Sequence, residues 1–403
     1  MIQWNERRGK DKEGMAEQNQ NQDMQKPHKR RVRYKGTHPR TFEEKYKERE
    51  PEKYAETIEK VISKGSTPAG MHLSICVDEI LEFLQIQPGQ RGLDATLGYG
   101  GHSRRMLEKL EGSGHLYGLD VDPIEIVKTE TRIREKGYGA DIFTVRKMNF
   151  ADVLELSREV GKFDFILADL GVSSMQIDNP ERGFTYKAEG PLDLRLDPEK
   201  GVSAAERLLE VTKEELAGMF RENSDEPYAE EIAAAVFKRN RKKDFIKTTI
   251  QMKETIEDAL SFLPEQERKE AAAKSCRRCF QALRIDVNSE FEVLDRFLGS
   301  LPDILAPGGR AAILTFHSGE DRLVKHYFKE GKKDGLYQEI SGDVIRPSAE
   351  ECQRNPRARS TKMCWRLRHA SVLYAKNEDS VKRIKSIDSK TKNYYNKPII
   401  KIC

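Results

Sequence analysis

Long apolar runs are missing from this chain. No stretch reaches the ~20 residues that a membrane-spanning helix needs. The first residues, Met-Ile-Gln-Trp-Asn-Glu-Arg-Arg, lack the apolar centre of a secretory signal. Membrane and export classes are therefore set aside, and a cytoplasmic protein is expected. Cysteine is scarce: the six in 403 residues lie scattered at 76, 276, 279, 352, 364 and 403, the usage of a reduced compartment rather than a disulfide scaffold. Cys276 and Cys279 form a lone C-x-x-C. With no second pair and no neighbouring His, it is read as structural, and no metal site is expected. A strong charge bias is also absent. The formal net charge is +4, which suggests an anionic partner only weakly, while 34% charged residues imply a heavily solvated surface. No internal repeat is present.

What the chain has is segregated. Residues 1–65 form a polar extension that is poor in large apolar side chains and cannot bury enough surface to offset its ordering entropy. Residues 41–64 could be helical, with a break at Pro51. Between residues 26 and 40 there are seven Lys or Arg and no acid. Two readings stay open for this segment: an arm that contacts nucleic-acid phosphates, or a solvated extension. From Cys76 onward helix and strand alternate. Helices are expected at 77–84, 102–110 and 151–160, and one beginning at Pro123. Strands are expected at 92–97, 116–120, 142–145, 163–170 and 309–316. Phe165-Ile-Leu-Ala168 is continuously apolar, as a strand covered on both faces should be. The alternation predicts an α/β, doubly wound parallel sheet. It is interrupted between about 178 and 284 by a charged helical stretch, read as an inserted helical domain. The sheet domain thus comprises 66–177 and 285–375, with a helix at 287–301 and a final edge strand at 364–374. A Lys-rich tail occupies 376–403.

The chemistry-bearing residues cluster at the strand exits. The stretch Leu93-Asp-Ala-Thr-Leu-Gly-Tyr-Gly-Gly-His-Ser103 runs from a strand through a glycine-dense turn into a helix. Glycines let a ligand approach the backbone, and the helix start offers unpaired N–H groups. The spacing is not G-x-G-x-x-G, so a nucleoside cradle is expected but not the dinucleotide class. The second strand ends in Leu119-Asp-Val-Asp-Pro123, where an acid accepts bonds from ribose hydroxyls. Asp120 is the preferred candidate, and Asp122 could instead cap the following helix. Phe150 follows the third strand, where an adenine would pack. The fourth strand ends in Ala168-Asp-Leu-Gly-Val-Ser-Ser174. Asp169 there should face the cleft, either holding the amino-acid end of a cofactor or taking an amine proton from a substrate.

These motifs resemble the bacterial ribosomal RNA small subunit methyltransferase H family, also called MraW. Further matches are Arg182-Gly-Phe184, Gly190-Pro-Leu-Asp-Leu-Arg-Leu-Asp197, Phe280-Gln-Ala-Leu-Arg-Ile285 with Val287-Asn-Ser-Glu290, Thr315-Phe-His-Ser-Gly-Glu-Asp-Arg322 and Asn355-Pro-Arg-Ala-Arg-Ser360. They occur in the family's order from about residue 72 to about residue 370. The resemblance implies a class I, Rossmann-like S-adenosylmethionine-dependent methyltransferase sheet. The implied target is the N4 amine of cytidine 1402 of 16S ribosomal RNA, free or in the small ribosomal subunit. A homodimer is left open.

Carried over by motif, the cofactor residues are Gly100, Gly101, His102, Asp120, Phe150, Asp169 and Gln176, of which His102 and Gln176 rest on the resemblance alone. Asp169, Ser173 and Ser174 are the catalytic candidates. Asp193, Arg195, Arg284 and Asn288 could line a cytidine pocket or join the two domains. His317 is a further substrate candidate, and Arg357 and Arg359 could grip phosphates or form a solvated turn. Glu320, Asp321 and Arg322 could equally be an ion network at a helix start. The chain departs from the family at Gly319, where Leu is common, and at Asp225-Glu226-Pro227, where an acid-acid-Arg stretch is common.

Overall fold

A computed structural model of the chain describes residues 74–342 and 344–368. The polar extension, its helix at 41–64, its basic segment and the Lys-rich tail lie outside the described residues. Helix α1 (Val77–Leu84) precedes β1 (Arg91–Asp94), α2 (Gly101–Leu110), β2 (His115–Asp120), α3 (Pro123–Arg134) and β3 (Phe143–Lys147). A 3-10 turn (Phe150–Asp152) leads into α4 (Val153–Val160), then β4 (Phe163–Asp169) and the short α5 (Ser174–Asp178). Five helices follow: α6 (Ala204–Glu210), α7 (Lys213–Ser224), α8 (Ala229–Arg241), α9 (Thr249–Ala259) and α10 (Glu265–Val287). The chain then runs through α11 (Glu290–Ile304), β5 (Leu305–Thr315), α12 (Ser318–Lys333), β6 (Tyr337–Ile340), α13 (Ala349–Arg354) and β7 (Lys362–Arg368).

The sheet has seven strands in the order β3-β2-β1-β4-β5-β7-β6. The first five are parallel, and β7 runs antiparallel to both neighbours. This is the Rossmann-like order of a class I methyltransferase sheet. Strand β4 shows why the sheet is covered twice. Successive side chains point to opposite faces, and Phe165 and Leu167 join one apolar cluster while Ile166 and Ala168 join the other. The first cluster takes Ile80, Met106, Leu107 and Ile133 from α1, α2 and α3. The second takes Val153, Leu294, Phe297, Leu301 and Val324 from α4, α11 and α12. Helices α6–α10, the helical insert between β4 and β5, gather around Leu208, Leu216, Phe220, Ile232, Val236, Met252, Ile256 and Leu283. Ser203, Thr212 and Thr248 start α6, α7 and α9 with reciprocal capping boxes.

Several boundaries differ from the sequence reading; β5, for one, begins at Leu305 rather than at 309. Strand β1 stops at Asp94 because that carboxylate captures the Thr96 N–H (3.2 Å) and turns the chain. The helix expected at 287–301 runs from Glu290 to Ile304, because α10 extends to Val287 and the chain breaks at Asn288 and at Ser289, which sits in the left-handed region (φ 48°). The strand expected at 364–374 begins at Lys362 and is not the edge, because Met363 and Cys364 bury on opposite faces beside β5. The edge is β6, a four-residue strand with two exposed side chains that leaves almost no pattern in the sequence.

Candidate active site

The crevice lies at the carboxyl ends of the parallel strands. Asp94, buried at the end of β1, accepts the Ser103 hydroxyl (2.6 Å) and so ties the strand to the first turn of α2. Between them Gly98 and Gly100 adopt positive φ (47° and 78°), and Gly100 caps α2. A Cβ on Gly100 would sit 2.7 Å from Thr129 Cγ2, so this position requires glycine twice over. Gly101 and His102 open the helix, where N–H groups have no intrahelical partner.

Two carboxylates flank this turn. Asp120 accepts the Gly98 N–H on Oδ2 (2.7 Å) and the Asp122 N–H on Oδ1 (2.9 Å). Each carboxylate oxygen has two acceptor sites, so one remains on each for ribose hydroxyls. Burial pushes this carboxyl up to about 6. Asp169, the last residue of β4, donates its N–H to Thr96 Oγ1 (2.6 Å). Its Oδ2 lies 3.6 Å from His102 Nδ1, and its Oδ1 is buried without a hydrogen-bond partner. Burial raises its carboxyl to about 6, against the pull of His102 and with the push of Asp94 and Glu320. His102 Nε2 lies 2.9 Å from the Ile75 carbonyl. A carbonyl can only accept, so Nε2 carries a hydrogen and Nδ1 is the atom left to face Asp169.

Asp122 resolves its two readings as a cap. It is fully buried, and Oδ1 accepts the N–H groups of Ile124 (2.9 Å) and Glu125 (3.3 Å) at the start of α3. Its Oδ2 accepts Gln176 Nε2 (2.8 Å) and Arg182 Nη1 (2.7 Å). Gln176 thereby spends its amide within the protein, because its Oε1 accepts the Ser173 N–H (2.9 Å). Ser173 caps α5 by accepting the Gln176 N–H (3.2 Å), and Ser174 opens that helix. Phe150 stands at the β3 exit, half-buried, edge-on to Phe297 at 5.1 Å.

The remaining candidates divide into three groups. Asp193 and Arg195 pair bidentately (both 2.7 Å), and Arg284 pairs with Glu290 (2.7 and 2.9 Å). Asn288 accepts the Leu196 N–H (2.7 Å) and donates to the Leu194 and Arg284 carbonyls (2.8 Å each). This places the set where the end of α10 and the start of α11 meet the segment 193–196. His317 precedes α12 at the β5 exit, with Nε2 3.2 Å from Glu320 Oε1 and its ring edge-on to Phe291. Glu320 caps that helix through the Phe316 N–H (2.7 Å), Asp321 holds Lys325 and Lys362 (3.0 and 2.9 Å), and Arg322 reaches Asp225 at the surface. Arg357 pairs with Asp178 at the end of α5 (2.9 Å), while the exposed Arg359 has no partner among the described residues.

Arg182 was quoted within a motif but given no role by sequence reasoning, although it joins Asp122 to the Arg195 and Leu196 carbonyls (3.2 and 2.8 Å). The signal was available: an Arg flanked by an Asn-Pro-Glu turn and a Gly-Phe. Cys276 and Cys279 are buried in the apolar core of the insert, and burial pushes the Cys276 thiol up to about 12. The departure at Gly319 also has a reason, because a Cβ there would lie 2.5 Å from Phe291 Cζ.

Comparison with known proteins adds to this geometry. A family model described as the MraW methylase family matches residues 69–368. A protein of Lachnoclostridium phytofermentans named ribosomal RNA small subunit methyltransferase H 1 is 66% identical over 85% of this chain and 93% of its own length. A protein of the same name from Agathobacter rectalis is 63% identical over 85% of this chain and 99% of its own. A solved structure titled as a putative rRNA-methylase from Clostridium thermocellum overlaps 73% of this chain and 95% of that chain at 12% identity and a TM-score of 0.35, a likeness too distant to bear on function.

Proposed function

This chain belongs to the MraW methylase family, and we propose that it transfers a methyl group from S-adenosylmethionine to the N4 amine of cytidine 1402 of 16S ribosomal RNA. The observation that carries this reading is the pair of carboxylates on either side of a glycine turn whose Gly100 admits no side chain. Asp120 keeps acceptor sites for a ribose, and Asp169 presents a buried oxygen with no partner. These features suit a nucleoside with a cationic amino-acid end. Bound, S-adenosylmethionine supplies a methyl made electrophilic by its sulfonium. Gly100, Gly101 and His102 would support it from the start of α2, and Phe150 would pack beside its adenine.

The protein's own task is alignment and proton handling. The N4 lone pair is delocalised into the ring, so the amine must be held in line with the methyl, an arrangement that lowers a barrier by several kcal/mol. As the new C–N bond forms and the methyl–sulfur bond breaks, N4 sheds one proton. Asp169 accepts it, since a carboxyl near 6 is ionised at neutral pH yet basic enough to serve. Ser173 and Ser174 hold the loop that follows this carboxylate. Gln176 acts through Asp122 rather than by a free amide. Asp193, Arg195, Arg284 and Asn288 set the insert against the crevice, and His317, Arg357 and Arg359 flank the RNA. The acceptor is 16S ribosomal RNA, free or in the small subunit, in the cytoplasm.

The test is mass-spectrometric mapping of methylated cytidines after incubating purified chain and S-adenosylmethionine with naked 16S RNA and, separately, with small subunits. Methylation at N4 of that cytidine, abolished by Asp169→Ala, is expected. Methylation elsewhere would replace the target with another RNA site. Failure to bind the cofactor in calorimetry would leave an RNA-binding assembly factor.

A further inference from the structure

We propose that the end of α8 and the turn into α9, residues 237–247, form a docking surface for a single-stranded stretch of ribosomal RNA outside the modified nucleotide. The inference rests on the reading of RNA as the substrate. The segment Phe237-Lys-Arg-Asn-Arg-Lys-Lys-Asp-Phe-Ile-Lys247 carries six cations and one acid. That acid, Asp244, is taken by Arg239 Nη2 (3.1 Å). Lys238, Arg241, Lys242, Lys243 and Lys247 are exposed, and their side chains have no ion-pair or hydrogen-bond partner among the described residues. Some cations elsewhere on the surface are matched, as in Lys274–Glu270 (2.6 Å), Lys128–Glu125 (3.2 Å) and Arg134–Glu130 (3.0 Å), and what sets this segment apart is that five unmatched cations crowd into it.

Cations at a helix C-terminus also answer the helix dipole. That accounts for Lys238 to Lys242, but not for Lys247 beyond the helix, and not for the aromatic rings. Phe237 and Phe245 are 39% and 38% exposed, although burying either ring would have been favourable. Rings set among unpaired cations are how proteins hold single strands, with phosphates on the cations and bases stacked on the rings. The backbone fixes this presentation. Lys243 takes the left-handed conformation (φ 60°), and its N–H and that of Asp244 return to the Asn240 and Arg239 carbonyls (3.0 and 3.1 Å). Ile246 is buried between the exposed Phe245 and Lys247 and anchors the turn.

The patch is tied to the crevice by main chain. The Lys247 carbonyl accepts the Leu192 N–H (2.9 Å), and the Thr249 N–H reaches the Gly190 carbonyl (3.0 Å). The segment from Gly190 continues to Leu194 and Leu196, which Asn288 and Arg182 hold, and Arg182 bonds Asp122 beside the cofactor turn. RNA gripped here is therefore held by a rigid path to the reaction centre.

The experiment measures binding of a fluorescent single-stranded RNA spanning the decoding-site sequence to the full chain, across a salt series. Lys242→Gln/Lys243→Gln/Lys247→Gln should flatten the slope of log K against log salt by about 2, at ~0.7 per phosphate contact. Phe237→Ser/Phe245→Ser should weaken binding roughly fivefold or more per ring at unchanged slope. Both variants should raise KM for RNA and keep wild-type cofactor affinity, which checks folding. An unaltered slope and affinity in both would overturn the proposal. So would unaltered RNA binding alongside lost binding to phosphatidylserine vesicles, which would assign the patch to a membrane surface. Reduced RNA binding by these variants with methylation found at another nucleotide would uphold the patch and overturn only the target.

Discussion

Arg182→Met should be among the most damaging single substitutions in the crevice, although Arg182 is proposed to touch neither cofactor nor RNA. The methionine keeps most of the aliphatic stem and deletes the guanidinium. Three hydrogen bonds go with it: one to Asp122 Oδ2 (2.7 Å) and two to the Arg195 and Leu196 carbonyls. The carbonyls lie near solvent and can recruit water. Asp122 is 0% exposed and cannot. Stripping one partner from a buried ion pair costs about 3–5 kcal/mol. Gln176 and the two capping N–H groups remain on Asp122, which favours the lower end, ~3 kcal/mol. That is a large share of a usual stability of about 5–15 kcal/mol. The assay is urea unfolding, with probes in the sheet and in the helical insert read separately to test for a single cooperative transition. The decisive comparison is Asp122→Asn/Arg182→Met. The neutral amide no longer needs a cation, so the double variant should recover about 2 kcal/mol relative to additivity. A loss below ~1 kcal/mol for Arg182→Met, or strict additivity in the double variant, would refute the reasoning.

Four further outcomes follow from the same geometry. The native carboxyls of Asp120 and Asp169 are raised to about 6 against an unfolded value near 3.9, so the folded state holds more protons in that window. Their share of the ligand-free protein's stability should fall as pH rises from about 4 to about 6 and then level off, and thermal melts of Asp120→Asn/Asp169→Asn should lack that share. Single-turnover methyl transfer should rise with pH until about 6 and then flatten as Asp169 ionises, whereas a flat profile between about pH 5 and 8 would sink its role as proton acceptor. Gly319→Leu, which restores the residue common in the family, should lower stability by about 1–3 kcal/mol through its clash with Phe291, and Phe291→Ala should relieve the defect in a paired melt. Gly100→Ala meets both a positive φ and Thr129, so calorimetry should show weakened cofactor binding, and retained affinity would mean the turn can relax.

The parts of this protein that were legible in the sequence are those whose physics is local. Strand β4 announced itself as an unbroken apolar run because both its faces are covered. The glycine turn announced itself because its backbone admits no side chain. Asp120 and Asp169 followed, since a carboxylate at a parallel strand's exit has one place to point. What stayed hidden was set by partners distant in sequence. Nothing in Leu-Asp-Val-Asp-Pro says that Asp122 will meet Gln176 and Arg182 some sixty residues away, and the resemblance that marked Gln176 did not show that its amide would serve that carboxylate. Arg366 is the extreme case. Its charge argues for a surface position, yet it is fully buried in β7, where its guanidinium lies over the rings of Phe328 and Tyr337. The same reasoning separates the two kinds of cation in this chain. Arg182 and Arg366 were drawn inward by partners that only folding supplies. Lys242, Lys243 and Lys247 were left outside with none, and a surface that could have matched them with acids, as it does on α3 and α10, did not.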